Sequence, residues 1–275
     1  MRRRQLLAAL LLAPLLAVPA ARAASLDELK AGGVLRVAVY RDFAPFSFIR
    51  NGELAGIDVE LARAIGSKLG LSVNFMPITP ADDVDGDLRN AVWKGHYLGG
   101  GTADLMLHVP FDAALAQRNG NAVLFGAYYR EQLAWAGHSV PATAWQIGQQ
   151  RIAVENDSLA DLYLSALQAG RLRDQLQHYA DPAAACAALR DGRADASFGT
   201  RSELEWQLHG SDWQLGQPQT PGLLKASWEV GMATKETLRD LAWAVGDILA
   251  ELRGSGQLAA IFQRYHTSFR PADEH

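Results

Sequence analysis

Tyr128-Tyr129-Arg130-Glu131-Gln132-Leu133-Ala134-Trp135-Ala136-Gly137 reads as one extended segment lying between two blocks in which strand-like and helix-like patterns alternate. In the block before it, Val34-Leu35-Arg36-Val37-Ala38-Val39 has strand character. Residues 58–69 follow as a helix with Val59, Ala62, Ile65 and Leu69 on one face and Gly70 as its stop. Residues 71–75 and the apolar Asp104-Leu105-Met106-Leu107-His108-Val109 complete a β-α-β-α-β order, with a short helix at 87–94 between them. The block after it repeats the theme. Arg151-Ile152-Ala153-Val154-Glu155 is a strand, Asn156-Asp157-Ser158 offers an N-cap to a helix over 159–168, and a helix at 183–190 leads into a strand at 194–199. A second extended stretch, Trp228-Glu229-Val230-Gly231-Met232-Ala233, precedes two closing helices at 235–253 and 257–265. Two extended segments that flank an inserted α/β block predict two lobes joined by two crossings, the chain ending in the lobe where it began. Ligands of open α/β sheets sit beyond the carboxyl ends of the strands, so facing lobes would enclose a cleft there.

The 275 residues are 49% apolar and 20% charged, within the range of ordinary folded chains, which excludes a disordered, collagen-like or coiled-coil protein. Met1-Arg2-Arg3-Arg4, an apolar run over 6–21 and the small-x-small Ala21-Arg22-Ala23 read as a secretory signal over residues 1–23, with the exported chain starting near Ala24. A membrane anchor would need about 20 uninterrupted apolar residues, and this run is broken by Pro14 and Pro19. Arg3-Arg4-Gln5-Leu6-Leu7 weakly resembles a twin-arginine export signal. Removing residues 1–23 takes four of the 26 basic residues and none of the 30 acidic ones, leaving a formal charge of −8. No cluster of Lys and Arg offers itself to phosphates, so a nucleic-acid partner is not expected. Cys186 is the only cysteine, which rules out an internal disulfide; its apolar run over 183–189 predicts a buried core thiol.

These patterns resemble the periplasmic solute-binding proteins of the polar-amino-acid type, family 3, over nearly the whole exported chain. Leu35-Arg36-Val37-Ala38-Val39 with Phe43-Ala44-Pro45-Phe46-Ser47-Phe48 is similar to that family's first strand and proline-phenylalanine loop. Asn51-Gly52-Glu53-Leu54-Ala55-Gly56-Ile57-Asp58 is similar to its helix start, and Gly231-Met232-Ala233-Thr234-Lys235 and 252–262 to its second crossing and closing helices. The resemblance implies an α/β, two-lobed periplasmic binding protein fold with two hinge crossings. Lobe one would comprise residues 24–132 and 226–275, and lobe two residues 133–225. It implies capture of a small polar solute by hinge closure for ABC-type import through an inner-membrane permease, in a periplasmic monomer without cofactor, metal or enzymatic activity. A divergent branch of solute-binding-like accessory proteins of periplasmic quinoprotein alcohol dehydrogenases is the alternative, suggested by the strand ending His108-Val109-Pro110.

The ligand chemistry departs from the family. Amino-acid binders place an arginine after the strand equivalent to 104–109, because a guanidinium binds an α-carboxylate through two hydrogen bonds. The matching position here is near Ala116, with Arg118 two residues late. The family's ammonium-binding aspartate falls at about Thr200, with Arg201 beside it. A zwitterionic amino acid is disfavoured on these grounds, since a charged group buried without a partner is costly.

Nine residues are candidate ligand contacts. Phe43 stacks on the solute or packs its own loop, with Tyr40 and Asp42 flanking it. His108 donates to the solute or is satisfied within the fold. Asp112 binds hydroxyls or an amine, or caps the next turn. Asp157 and Ser158 head a helix facing the cleft, and Thr200 and Arg201 end a strand, Arg201 facing an anionic or hydroxylated solute or pairing with Glu203 or Glu205. The connection over 80–102 is long for the family; Trp93, His96 and Tyr97 there are candidates for a lid or a partner contact. Asp83, Asp85 and Asp87 superficially resemble a calcium loop, but Lys94 stands where a bidentate glutamate is needed. No nucleophile elbow and no HExxH is present.

Overall fold

The computed structural model describes residues 25–273, so the segment read as a secretory signal lies outside the described residues. Helix α1 (Leu26–Gly32) leads into β1 (Val34–Tyr40), a hairpin of β2 (Phe48–Arg50) and β3 (Glu53–Ala55), helix α2 (Ile57–Leu69) and β4 (Ser72–Ile78). Helix α3 (Val84–Leu88) continues as a π-helical turn, Arg89–Trp93, before β5 (Leu105–Pro110), α4 (Ala113–Arg118) and β6 (Ala122–Gly137). The inserted block holds β7 (Ile152–Glu155), α5 (Leu159–Ala166), β8 (Leu176–Tyr179), α6 (Pro182–Arg190), β9 (Ala196–Thr200), α7 (Arg201–Leu208) and β10 (Gln214–Gly216). The chain returns through β11 (Ser227–Lys235) to α8 (Arg239–Gly254) and α9 (Gln257–Arg264).

The strands lie in the order β4-β1-β5-β11-β6-β9-β7-β8, with β10 on β6. Strands within each block pair in parallel, β1 with β4 and β5, and β7 with β8 and β9. The crossings are antiparallel. Strand β6 pairs with β11 from Ala122↔Lys235 to Gln132↔Ser227, then changes partner and pairs with β9 from Leu133↔Thr200 to Gly137↔Ala196. Its 16 residues thus belong to both halves of the sheet, and the switch falls between Gln132 and Leu133.

Period-two alternation sends β6 side chains to two separate cores past the switch. Leu133 and Trp135 pack with Ile152, Val154 and Phe198 under α5, whereas Ala134 and Ala136 pack with Ala153, Cys186 and Leu189 under α6. The first half is likewise covered on both faces. Ile57, Leu61 and Ile65 of α2, one helical turn apart, join Leu35 and Val37 on one side; Ala38, Met106 and Leu88 meet on the other. Cys186 is buried, and burial pushes its thiol up to about 12, as a core position requires.

Most elements match the sequence reading within a few residues. Strand β6 begins six residues before the extended segment read from Tyr128, and α1, the β2/β3 hairpin, β8, α7 and β10 are additional. The helix α7 matters most, because it starts at Arg201, where the sequence read only a strand end. Beyond α9, the chain runs back to the crossing. The Arg130 amide donates to the Arg270 carbonyl (2.9 Å), and the Ser268 amide donates to Glu205 Oε2 (2.7 Å). No helix among the described residues is long and apolar enough to cross a membrane.

Candidate functional site

A cleft of about 1060 Å³ opens between the two halves of the sheet. One wall carries Phe43, the segment Pro110-Phe111-Asp112, Leu115 and Arg118; the other carries Glu155, Ser158, Leu159, Thr200 and Glu203. Arg130, Trp228 and Glu229 of the crossings form its floor, and Trp228 packs against the cores of both halves. Glu155 ends β7 and Thr200 ends β9, so the second wall is built from carboxyl ends of parallel strands, as expected for an open α/β sheet.

Four of the nine candidate residues line the cleft, Phe43 and Asp112 on the first wall and Ser158 and Thr200 on the second. Phe43 stacks on Phe46 at 5.3 Å between centroids and meets the edge of His108 at 4.7 Å, so it is half-supported by the fold and half-presented to the cleft. Asp112 caps α4, accepting from the amides of Ala114 (3.0 Å) and Leu115 (3.1 Å), and its other oxygen meets Lys225 Nζ at 2.6 Å. The Lys225 hydrogen bond, foremost, holds its carboxyl below the usual range. Ser158 caps α5 by accepting from the Asp161 amide (3.2 Å). Thr200 donates its hydroxyl to Glu203 one helical turn along.

The other five lie off the lining: Tyr40, Asp42 and Asp157 do not take the cleft-facing places expected of them, while His108 and Arg201 take the second of the two readings offered for each. Tyr40 packs inward and donates its hydroxyl to Asp87 Oδ2 (2.8 Å), with burial raising its phenol above its ordinary value. Asp42 sits exposed in a turn at φ 55°. His108 lies beneath Phe43 and Phe46, its Nδ1 3.2 Å from Oδ2 of the buried Asp58, whose Oδ1 accepts the Tyr128 hydroxyl (2.6 Å). Asp157 is exposed at φ 60°, accepting from Asn156 Nδ2 (2.6 Å), so with Ser158 as the cap it does not turn into the cleft. Arg201 turns from the cleft to Glu205, Nε to Oε1 2.6 Å, a pairing of residues four apart that the helix α7 makes natural.

The long connection over 80–102 does less at the cleft than expected. Its Val84 and Asp85 reach the wall, but Trp93 packs against the core. His96 and Tyr97 are exposed and stack on each other at 4.5 Å, away from the lining. The aspartates of the superficial calcium pattern serve different partners: Asp83 caps α3, Asp85 faces Arg118 and Asn119, and Asp87 accepts from Tyr40 and the Ala81 amide.

Sequence reading missed Glu155, Glu203, Arg130, Lys225 and Trp228. Burial pushes the Glu203 carboxyl up to about 8, with Glu155 and Glu131 adding to the shift and the Thr200 hydroxyl opposing it. Burial likewise raises Glu155, with the charge of Asp181 adding. The cations of the lining are all committed. Arg118 Nε lies 3.2 Å from Asp85, Lys225 2.6 Å from Asp112, and Arg130 pairs with Glu229 (3.2 Å) and Asp273. The spacing of Thr200 and Glu203 would have exposed Glu203 had the helix been recognised.

Residues 35–91 match the model of the bacterial extracellular solute-binding proteins, family 3. No curated protein sequence matches the chain. Among solved structures, an ancestral cationic amino acid solute binding protein, AncCDT-1, superposes with a TM-score of 0.68 at 19% identity, over 88% of this chain and 99% of that one. A second structure describes AncCDT-1 as a precursor of cyclohexadienyl dehydratase. The amino acid ABC transporter substrate-binding protein AbpA of Streptococcus pneumoniae, bound to L-arginine, gives 0.58 at 20% identity, over 87% and 97% of the two chains. Substrate-binding domain 2 of Lactococcus lactis GlnP, in an open conformation, gives 0.62 at 20% identity, over 85% and 95%. The architecture is thus the two-lobed fold of the periplasmic binding proteins.

Proposed function

We propose that this chain is an exported solute-binding protein that closes on a small polar solute carrying a positive charge and hands it to an ABC permease of the inner membrane. The supporting observation is the balance of charge in the cleft. Arg118, Arg130 and Lys225 each pair with a carboxylate. Among the described residues, Glu155 meets no cation, and Glu203 accepts only from Thr200. An anionic group placed against that wall would hold the two carboxyls further in their protonated forms and gain no opposite charge, whereas a cation would favour their ionised forms. The lining presents no uncommitted guanidinium for an α-carboxylate, which separates this site from one built for a zwitterion.

The lobes are taken as residues 24–132 with 226–275, and 133–225. The change of partner along β6 at Gln132 and Leu133 supports that division, as does the bond from the Leu133 amide to the Ala226 carbonyl (2.8 Å). Closure would bring Glu155 and Glu203 toward Phe43, and the solute would favour the closed form by its difference in affinity for the two. The chain acts as a binder rather than a catalyst in this reading, and works in the periplasm.

Calorimetric titration of the purified protein with amines, cationic amino acids, organic acids and sugars tests the proposal. Saturable binding confined to cation-bearing solutes is expected. An organic acid as the tightest ligand would overturn the cationic class, and capture of a periplasmic dehydrogenase with no solute bound would overturn the import role.

A further inference from the structure

Behind the crossing lies a second recess of about 560 Å³, walled by Arg130, Gln132, Arg253, Arg270 and the tail residues Pro271–Asp273. Arg130 and Asp273 stand between it and the solute cleft. Its lining holds three guanidiniums and one carboxylate.

Two of those guanidiniums are engaged. Arg130 pairs with Glu229 and Asp273. Arg270 donates to the Tyr129 hydroxyl, and its nitrogens lie 3.7 Å from Glu131 and 3.6 Å from Glu205. Arg253 differs. It sits in the last turn of α8 and donates Nη2 to the Ala127 carbonyl (2.8 Å), but no carboxylate among the described residues pairs with it, and its buried Nε has no acceptor in the protein. A guanidinium beside the carbonyl end of a helix is electrostatically favourable. That placement leaves the Nε–H unexplained, because buried donors are nearly always paired.

We propose that this recess is a second binding site, separate from the solute cleft, which takes a small oxyanion on Arg253 with Arg270, Arg130 and Gln132 around it. A guanidinium edge matches the spacing of two oxygens on a carboxylate, phosphate or sulfate. The recess has room for any of the three. Arg130 belongs to β6 and Arg270 to the tail that crosses it, so an anion held there would tie α8, the crossing and the tail together.

The experiment is calorimetric titration of the purified protein with sodium sulfate, phosphate and acetate at constant ionic strength set by sodium chloride. Saturable binding of at least one oxyanion is expected, and it should be at least tenfold weaker in Arg253→Gln. Arg253→Lys keeps the charge but lacks the planar fork of guanidinium donors and should weaken it as well. Glu203→Gln, in the cleft, should leave it unchanged. Should the Arg253 variants fail to fold, Gln132→Leu carries the test, since it alters the recess without touching an ion pair. Heats no different from added chloride, or equal affinity in the recess variants and the wild type, would overturn the site.

Discussion

Lys225 Nζ stands 2.6 Å from Asp112 Oδ2, tying the chain just ahead of β11 to the first turn of α4 at the mouth of the cleft. Two-thirds of the Lys225 side chain is exposed, so water and salt screen the pair. Lys225→Met is therefore expected to lower stability by less than about 1 kcal/mol. Asp112→Ala also removes the cap from the Ala114 and Leu115 amides, and should lower it by about 1 kcal/mol more. Urea titrations of both variants check this. A loss from Lys225→Met that persists in 1 M salt would mean the pair is held far more rigidly than its exposure implies.

Glu203 sets a pH dependence of definite sign. Its folded value of about 8 lies above the ordinary 4.5, so between those values the folded chain holds a proton that the unfolded chain releases. Stability should fall as pH rises through that window, and Glu203→Gln should flatten the fall, gaining roughly 1–3 kcal/mol over the wild type at pH 8. A cationic solute favours the ionised carboxylate, so binding should strengthen toward pH 8 and release a proton. Calorimetry in buffers of different ionisation enthalpy detects that release, and its absence would remove Glu203 from the solute's contact.

How far the molecule could be read from its sequence depended on how local each signal was. The partner-switching strand announced itself, because Tyr128 to Gly137 carries the strand-favouring Tyr128, Tyr129, Leu133 and Trp135 with no proline or internal glycine and lies between two complete α/β patterns. Helix α2 was equally plain from its apolar spacing and Gly70. Helix α7 was not, since Arg201-Ser202-Glu203-Leu204-Glu205-Trp206-Gln207-Leu208 shows weak contrast between faces and Thr200 gives it no side-chain cap. Missing that helix left the two readings of Arg201 undecided, although Glu205, its partner four residues along, was one of them, and hid the place of Glu203 on the cleft wall. The inward turn of Tyr40, and which of its two readings His108 takes, were illegible for another reason. Their partners, Asp87 and Asp58, come from separate stretches of chain, and no spacing rule reports a contact made only by tertiary packing.

Phe43 separates binding from folding only in part. Its ring faces the cleft but also stacks on Phe46 and touches His108, so Phe43→Ala removes ring contacts worth about 0.5–1.5 kcal/mol beyond the apolar area lost. The variant is expected to stay folded with a Tm a few degrees lower, and to bind the cationic solute at least tenfold more weakly. Phe43→Leu, which keeps the apolar bulk, should recover most of the stability and less of the affinity. Unchanged affinity in Phe43→Ala would take the ring out of the site.

Arg270 gives the sharpest test of how the tail holds the crossing. Its guanidinium is one-fifth exposed and lies 3.7 Å from the buried Glu131, which also accepts the Ser202 hydroxyl. Burial already lifts the Glu131 carboxyl above its ordinary value, with Ser202 and Arg270 among the groups that oppose the lift. Arg270→Met leaves that carboxyl without its nearby cation, at a cost of about 3 kcal/mol for a buried charge stripped of its partner. The sign with pH follows from the same argument. Losing the cation raises the folded value further, so the variant loses stability more steeply as pH rises, and its deficit against the wild type should widen between pH 5 and pH 8. Combining Arg270→Met with Glu131→Gln should narrow the widening by the share that Glu131 carries, while keeping the loss of the Glu205, Tyr129 and Arg130 contacts. Denaturant titrations of the single and double variants at both pH values decide it, and a deficit that stays constant with pH in the single variant would show that Arg270 acts through the Tyr129 and Arg130 contacts alone.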